Sequence, residues 1–470
     1  MIGVVARHEL ARLIRDRRFR VLAALFVVLL LAATSSAWID ASERAEQREA
    51  ASHAVHETWL DQGDKNPHSA THFGTWAFLP LSQLSFLDPG ATAFGGVATF
   101  VESHRRGVRT RASGASDPLR SPSGLAQVLL PLLVVLVGFD VLAGDRDRGV
   151  LAHLFGMGAD PRAVALGTTL GFTGAVLLAL VPAALCAAVL LVLPPGADTL
   201  RSLGFGAAQL GHLVVWCLLT AAISGLASSA RGALVTGLGV WALTCLLVPR
   251  LAADHAARAV ELPSPRALAA SIEAELLELG SAHDPASPTY ARLEAEALRE
   301  HGVASVDELP FNFAGWVLQR GEEREAEVHA RAYADLEARH ERQERAADRG
   351  GWLSPRIPLA RLSAAFAGTD RRHLADWDAR VEDYRARLVR TLNDVLTYDE
   401  RAKEPGFTVG REVWDEVGRP TYEPRSAGWA LEGVRTSALQ LLVHLVLGAL
   451  LVVAAVRRIA GRPASTLDRG

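Results

Sequence analysis

Six stretches of the chain lack the alternation of polar and apolar positions that marks a helix lying on a water-soluble core. They are residues 19–39, 125–143, 163–193, 206–227, 233–251 and 436–456. Each approaches or exceeds the roughly 20 apolar residues that cross the hydrocarbon layer of a bilayer. Residues 128–137 and 175–193 show no polar face at all, whereas a helix on a soluble core keeps one toward water. The third stretch is long and holds Pro182, so a kink or a tilt is expected there. The first stretch has a competing reading as a secretory leader, since arginines precede it and small Ser35 and Ala37 follow. Its long charged lead and long apolar run favour a retained anchor.

Between these stretches the pattern changes to a helical period. Residues 265–279, 287–301 and 315–348 mix apolar and charged positions, with Glu/Arg pairs three or four apart. Gly350 and Gly351 interrupt the last of these, and a further helix is expected over 370–394. Glycine and proline punctuate 405–424, which reads as a loop. Residues 2–20 form an amphipathic pattern, with Val4, Val5, Leu10, Leu13 and Ile14 set between Arg7, Glu9, Arg12, Arg15 and Arg18. A helix lying in the membrane interface fits it, and so does a plain basic anchor. The expected fold class is an all-α integral membrane protein with about six transmembrane helices and a large, mainly helical extracytoplasmic domain.

Composition narrows the function. Half of the 470 residues are hydrophobic and 21% are charged, and the mean hydropathy is +0.17, so oily and watery blocks are separate. The net charge of −3 gives no basic field for nucleic acid. Lysine occurs only at Lys65 and Lys403, and neither follows a glycine. A Walker A phosphate loop is therefore excluded, and ATP hydrolysis by such a loop with it. Cys186, Cys217 and Cys245 lie in apolar runs without a CxxC pair, which excludes a zinc ribbon or a disulfide framework. His8-Glu9 lacks the second histidine of a zinc protease, and there is no GxSxG elbow. His212 and His444 are the main ionisable groups within the apolar stretches, too few for an intramembrane enzyme.

Arginine placement sets the orientation. The lead carries Arg7, Arg12, Arg15, Arg17, Arg18 and Arg20; residues 144–162, Arg231, and Arg457, Arg458 and Arg462 fall on the same side by alternation. That side is expected to be cytoplasmic, with both termini inside. The division that follows is a lead helix over 1–18, outer segments over 40–124 and 252–435, an inner loop over 144–162 and a tail over 457–470.

One inner segment carries a resemblance. Gly138-Phe139-Asp140 is followed by Asp145-Arg146-Asp147-Arg148-Gly149-Val150-Leu151. This run resembles the Glu-Arg-Glu-x-Gly-Thr-Leu signature of ABC (ATP-binding cassette) type 2 permeases, with aspartates for glutamates and Val150 for threonine. Charges at a helix end are otherwise simply solvated. Residues 66–74 (NPHSATHFG), 88–90 (DPG), Glu102-Ser103-His104 and 354–373 (SPRIPLARLSAAFAGTDRRH) are similar to a narrower subgroup. It includes permeases linked to gliding motility and to maturation of the nitrous oxide reductase copper site. The resemblance implies a permease subunit in a bacterial inner membrane that borrows ATP hydrolysis from a separate cytoplasmic ATPase. It implies a second permease copy or paralogue beside it, the lead as connecting helix, and 144–162 as coupling loop. Asp145, Arg146, Asp147, Gly149 and Leu151 are then the coupling residues. A different class of function stays open: an envelope protein that transmits force to a periplasmic partner and moves no cargo.

A second candidate site rests on spacing alone. Asn66 suits a helix N-cap and Pro67 the first helical position, which puts His68 and His72 on one face, four residues apart. If 97–104 is extended, Glu102 and His104 share a face. These four side chains offer ligands to zinc or copper. They would equally serve as caps, hydrogen-bonding groups or packing. The expected topology has a direct check: an amine reagent that cannot cross the membrane should label both Lys65 and Lys403 in intact spheroplasts. Protection of Lys403 alone would break the six-span count.

Overall fold

The computed structural model describes residues 1–104, 109–110, 121–193 and 198–460. Arg462 and the other tail residues beyond 460 lie outside the described residues, as do 105–108 and 111–120 of the first outer segment. The chain begins with α1 (Ile2–Arg15). Asp16 is then extended, and its side chain accepts a hydrogen bond from the Phe19 amide at 2.8 Å, starting α2 (Arg17–Leu60). α2 is a single helix of 44 residues, about 66 Å long at the helical rise. The stretch expected to end at 39 is therefore only its first half. No glycine or proline lies between Ile39 and Leu60 to stop it.

Next come α3 (Pro67–Thr71), β1 (Thr75–Phe78), α4 (Thr92–Gly95), β2 (Ala98–Val101) and β3 (Arg109–Thr110). The strands form a small antiparallel sheet in the order β1-β2-β3, with Thr75 opposite Val101 and Ala98 opposite Thr110. β2 ends at Val101, so Glu102 and His104 do not continue a strand. The membrane-side elements follow: α5 (Pro122–Gly138), α6 (Ala143–Asp147), α7 (Val150–Gly156), α8 (Pro161–Val192), α9 (Thr199–Leu226) and α10 (Ala230–Trp241). A π-helical turn, Ala242–Leu247, joins α10 to α11 (Val248–Ala259). The second outer segment holds α12 (Pro265–Leu279), α13 (Pro288–His301), α14 (Phe313–Asp348), α15 (Arg356–Ala367), α16 (Arg371–Tyr398), α17 (Arg411–Glu416) and α18 (Ala427–Gly433). α19 (Arg435–Ala460) closes the described chain.

Among the described residues, six helical stretches are long and apolar enough to cross a membrane: Arg17–Leu60, Pro122–Asp147, Pro161–Val192, Thr199–Leu226, Ala230–Ala259 and Arg435–Ala460. The fourth starts earlier than the apolar pattern, because Asp198 caps it by accepting from the Arg201 amide at 3.0 Å. Loop 405–424 likewise contains a short helix, α17.

The cores divide the molecule by region. One cluster lies among the spans, with Phe26, Val134, Phe172, Trp216 and Val452. A second fills the outer domain, where Trp59, Leu60, Ala77 and Val101 meet Leu374, Trp377, Leu388 and Trp414. A third joins the two: Leu84, Phe86 and Leu87 pack with Phe205, Leu359, Phe366 and Leu441. A fourth is a satellite around Leu293, Phe311 and Trp316.

α1 is held on α8 by small residues. A Cβ on Gly167 would come 2.6 Å from the Val5 Cβ, and one on Gly171 2.4 Å from the Ala6 carbonyl. Backbone approach at this distance tolerates only glycine. Replacing Gly171 by valine should therefore lift α1 from α8 at a cost of about 1–3 kcal/mol. Tryptic cleavage at Arg7 and Arg12 should accelerate in the variant, and unchanged cleavage would refute this packing.

Candidate functional site

At the end of the bundle that carries α1, the run expected to couple to a partner is built as two short helices. Arg146 is buried and donates to the carbonyls of Gly225, at 3.2 Å, and Ala227, at the end of α9. Asp147 accepts from the Ala230 amide at 2.8 Å, at the start of α10. Asp145 pairs with Arg148 at 2.6 Å. Gly149 adopts a left-handed conformation, φ 71°, that turns α6 into α7, a geometry glycine takes without strain. Leu151 is buried beneath the turn. Arg18 bonds Asp140 at 2.8 Å and so ties the start of α2 to the same turn. These side chains hold the platform together, and its exposed surface includes Val150 and His153 of α7 and Met157 just after it, beside Asp147 and Arg148. The sequence reading missed that division, because spacing alone does not separate the buried face of so short a helix from its free one.

At the opposite end, α3 places two histidines beside two groups from the second outer segment. The Asn66 side chain accepts from the His68 amide at 3.0 Å and fixes the helix start. His68 Nε2 lies 3.3 Å from His72 Nε2 and 3.2 Å from His283 Nε2. Ligand atoms of His68, His72, His283 and Glu322 all fall within 4.8 Å of one another. His104 stands behind His72, with ring centroids 5.8 Å apart, and its Nδ1 is 3.5 Å from Glu325. Glu102 is buried but lies outside this group of four. The structure thus brings together His68 and His72 with partners the sequence did not suggest, His283 and Glu322. Burial pushes the His68 imidazole down to about 4, with the Asn393 hydrogen bond opposing and the neighbouring histidines adding to it. Burial pushes the Glu322 carboxyl up to about 8. Near neutrality the histidine is an uncharged donor of a lone pair.

The subgroup-like stretches 88–90 and 354–373 meet at the junction between the spans and the outer domain. Asp88 accepts from Ser363, which is 2.8 Å from Ser123 at the start of α5. Thr369 donates to the Asp88 carbonyl at 2.9 Å. Gly90 has φ 43°, and a Cβ there would lie 2.6 Å from the Thr369 hydroxyl. Arg201, in the first turn of α9, donates to the carbonyls of Ala365 at 3.2 Å and Phe366 at 3.1 Å, and to His373 Nε2 at 2.9 Å. His373 Nδ1 is then the donor to Asp370, at 2.5 Å. At the other end of α15, Ser354 and Arg356 each donate, at 2.5 Å, to the carbonyls of Thr244 and Cys245 within the π-helical turn.

Comparison with known families decides the class. The model of the ABC-2 family transporter protein matches residues 4–297, more than half of the chain. The chain belongs to the ABC-2 transporter family. This ABC-2 permease carries in addition a domain of unknown function, DUF3526, matched over residues 266–422. The two matches overlap over 266–297. Comparison with curated proteins gives no match. The permease is a multi-pass membrane protein and the membrane component of an ABC system, and membership of the family implies an ABC ATPase as partner. Its DUF3526 match contains Glu322, Asn393 and the whole of α15 and α16.

Asp370 supplies a test of the junction. Burial alone would raise its carboxyl, but hydrogen bonds from the His373 ring and amide outweigh it and hold the group below the usual carboxylate range. A depressed carboxylate stabilises the fold above its unfolded value of about 3.9, and that contribution is lost as pH falls through the folded value. Asp370→Asn keeps a cap but loses the charged acceptor, and should cost about 1–3 kcal/mol at pH 7. The difference in thermal midpoint from the wild type should shrink below about pH 4. A pH-independent difference would show that the charge is not what acts.

Proposed function

We propose that this ABC-2 permease is the transmembrane subunit of an exporter-like complex that is driven by a separate cytoplasmic ATPase. The observation that carries the reading is the platform of α6 and α7. Buried Arg146 and the exposed Asp147 tie it to the ends of α9 and α10 and Leu151 is buried, while Val150, His153 and Met157 stay exposed. A push on α7 is then delivered to the spans rather than absorbed by a loose loop. Asp145, Arg146, Asp147, Gly149 and Leu151 act as coupling residues by holding this shape. Two permeases and two ATPases form the assembly, in a bacterial inner membrane, with the termini and α7 cytoplasmic and the DUF3526 domain outside. The chain has no Gly-Lys phosphate loop, so nucleotide binds only to the partner.

The 44-residue α2 supports a second reading, in which the ATPase cycle acts on a periplasmic partner without moving cargo. A helix of about 66 Å runs unbroken from Arg18, beside Asp140, to Trp59 in the outer core, and so carries a tilt at one end to the other. The two readings differ in whether a solute crosses.

Coupling is tested with the ATPase partner reconstituted. Met157→Glu at the exposed tip, and separately Asp145→Arg with Asp147→Arg, should each lower permease-stimulated ATP hydrolysis severalfold while membrane insertion is retained. Full stimulation in both variants would overturn the assignment of this platform.

A further inference from the structure

We propose that His68, His72, His283 and Glu322 form a site for one borderline divalent cation, zinc or copper(II), which fastens the first outer segment to the DUF3526 domain. Four observations carry it. First, the spacing suits a metal. Zinc–nitrogen bonds of about 2.0–2.1 Å in a tetrahedron put ligand atoms about 3.3 Å apart, and the His68–His72 and His68–His283 nitrogens are 3.3 and 3.2 Å apart.

Second, the surrounding groups fix which nitrogen is free. Asn393 Nδ2 donates to Gln319 at 3.0 Å and to Glu322 Oε2 at 3.1 Å, so its Oδ1 faces His68 Nδ1, 2.9 Å away. That oxygen can only accept, which commits the proton of a neutral His68 to Nδ1 and leaves a lone pair on Nε2. Ser103 Oγ lies 2.8 Å from His72 Nδ1 and can hold that ring in the same state. The single lone pair of His68 Nε2 meets two other ring nitrogens and cannot accept fully from both. A cation takes all three rings at once. Orientation of a ligand histidine through its other nitrogen is the usual outer shell of a metal site.

Third, a buried carboxyl oxygen beside the cluster has its hydrogen-bonding capacity unused. Glu322 is 3% exposed, and its Oε1 has no hydrogen-bond partner among the described residues. It lies 3.9 Å from His68 Nδ1, and the ligand atoms of all four groups fall within 4.8 Å of one another. Burying such an oxygen unsatisfied is costly, and a cation relieves it. Fourth, there is an entry path, because His72 and His283 are exposed. The loop bearing His283 is held close by Gly321, where a Cβ would come 2.2 Å from Ala282. A donor set of three imidazoles and one carboxylate suits zinc or copper(II) and does not suit calcium or magnesium, which take oxygen ligands.

The site spans more than 250 residues of sequence, from His68 to Glu322, and joins elements on either side of the intervening spans. Its occupancy does not depend on an ATPase. The test uses the full chain purified in detergent without a histidine tag, stripped with a chelator and then given zinc or copper(II) alone. One metal ion per chain should survive gel filtration and elemental analysis. His283→Ala, which removes an exposed ring from a loop, should lower affinity at least tenfold with an unchanged circular dichroism spectrum. His72→Ala should do the same. Limited proteolysis of the loop at 280–287 should slow on metal addition in the wild type only. Failure to retain either metal, or equal retention by the wild type and both variants, would overturn the site and would leave the permease reading untouched.

Discussion

The guanidinium of Arg201 is the contact on which the joining of the two halves depends. It sits in the first turn of a membrane span, 3% exposed, and ends α15 by bonding the carbonyls of Ala365 and Phe366. A cation there satisfies the acceptors that every helix C-terminus leaves open and complements the negative end of its dipole. Through His373 it also reaches Asp370, the cap of α16. One side chain of a span thus terminates one outer helix and braces the start of the next. A buried arginine left without these acceptors would be strongly destabilising, so the outer domain and α9 are obliged to keep this register.

The same logic extends along α15, which lies as a crossbar over the tops of the spans. Its leading end grips the π-helical turn of the fifth span, where Ser354 and Arg356 take the carbonyls of Thr244 and Cys245. Its middle meets α5 through Ser363 and Ser123. Gly351, just before it, lies against Gln440 of α19, whose amide donates to the Asp348 carbonyl at 2.8 Å. Arg361 makes two bonds of 3.1 Å to Glu344 and fixes the crossbar to α14. Apolar packing of Leu359, Leu362 and Phe366 seats it, and Gly204 of α9 is small enough to admit the Phe366 ring. Polar contacts set its register and apolar ones its depth. α15 therefore ties the spans α5, α9 and α19 and the π-helical turn to the outer domain through one helix, beside the continuous α2.

Much of this was legible in the sequence where local rules act. Ser121-Pro122, Asp160-Pro161, Ser264-Pro265 and Ser287-Pro288 each start a helix with a capping side chain and a proline in the first turn. The helical period of 265–279 and of the neighbouring stretches was plain for the same reason. The sheet was not legible, because strands of four residues or fewer leave no alternation to read. α15 carries a motif that stood out in the sequence, yet its helical form was missed: two prolines, Pro355 and Pro358, open it. The histidine cluster was half visible. His68 and His72 share a local spacing, but His283 sits in a loop and Glu322 among many similar glutamates of α14. Only the fold brings them to the same place.

That dependence has a consequence for how the DUF3526 match is understood as a physical object. Its residues, 266–422, contain only part of the main core they build. Leu374, Trp377, Leu388 and Leu392 of α16 are covered in part by Trp59, Leu60, Ala70, Ala77, Leu79 and Val101, all from the first outer segment. Trp59 donates its indole N–H to the Trp414 carbonyl at 2.9 Å, and Lys65 pairs with Val409 as an isolated bridge. Each large apolar side chain buried this way contributes on the order of 1.5–3 kcal/mol. A fragment cut at the match boundary would expose several of them together, against a typical domain stability of only about 5–15 kcal/mol. The outer domain is thus one folding unit made by two distant segments, and the spans between them are its linker. The end of α2 and the DUF3526 helices share one core, so whatever moves the first span also moves the outer domain.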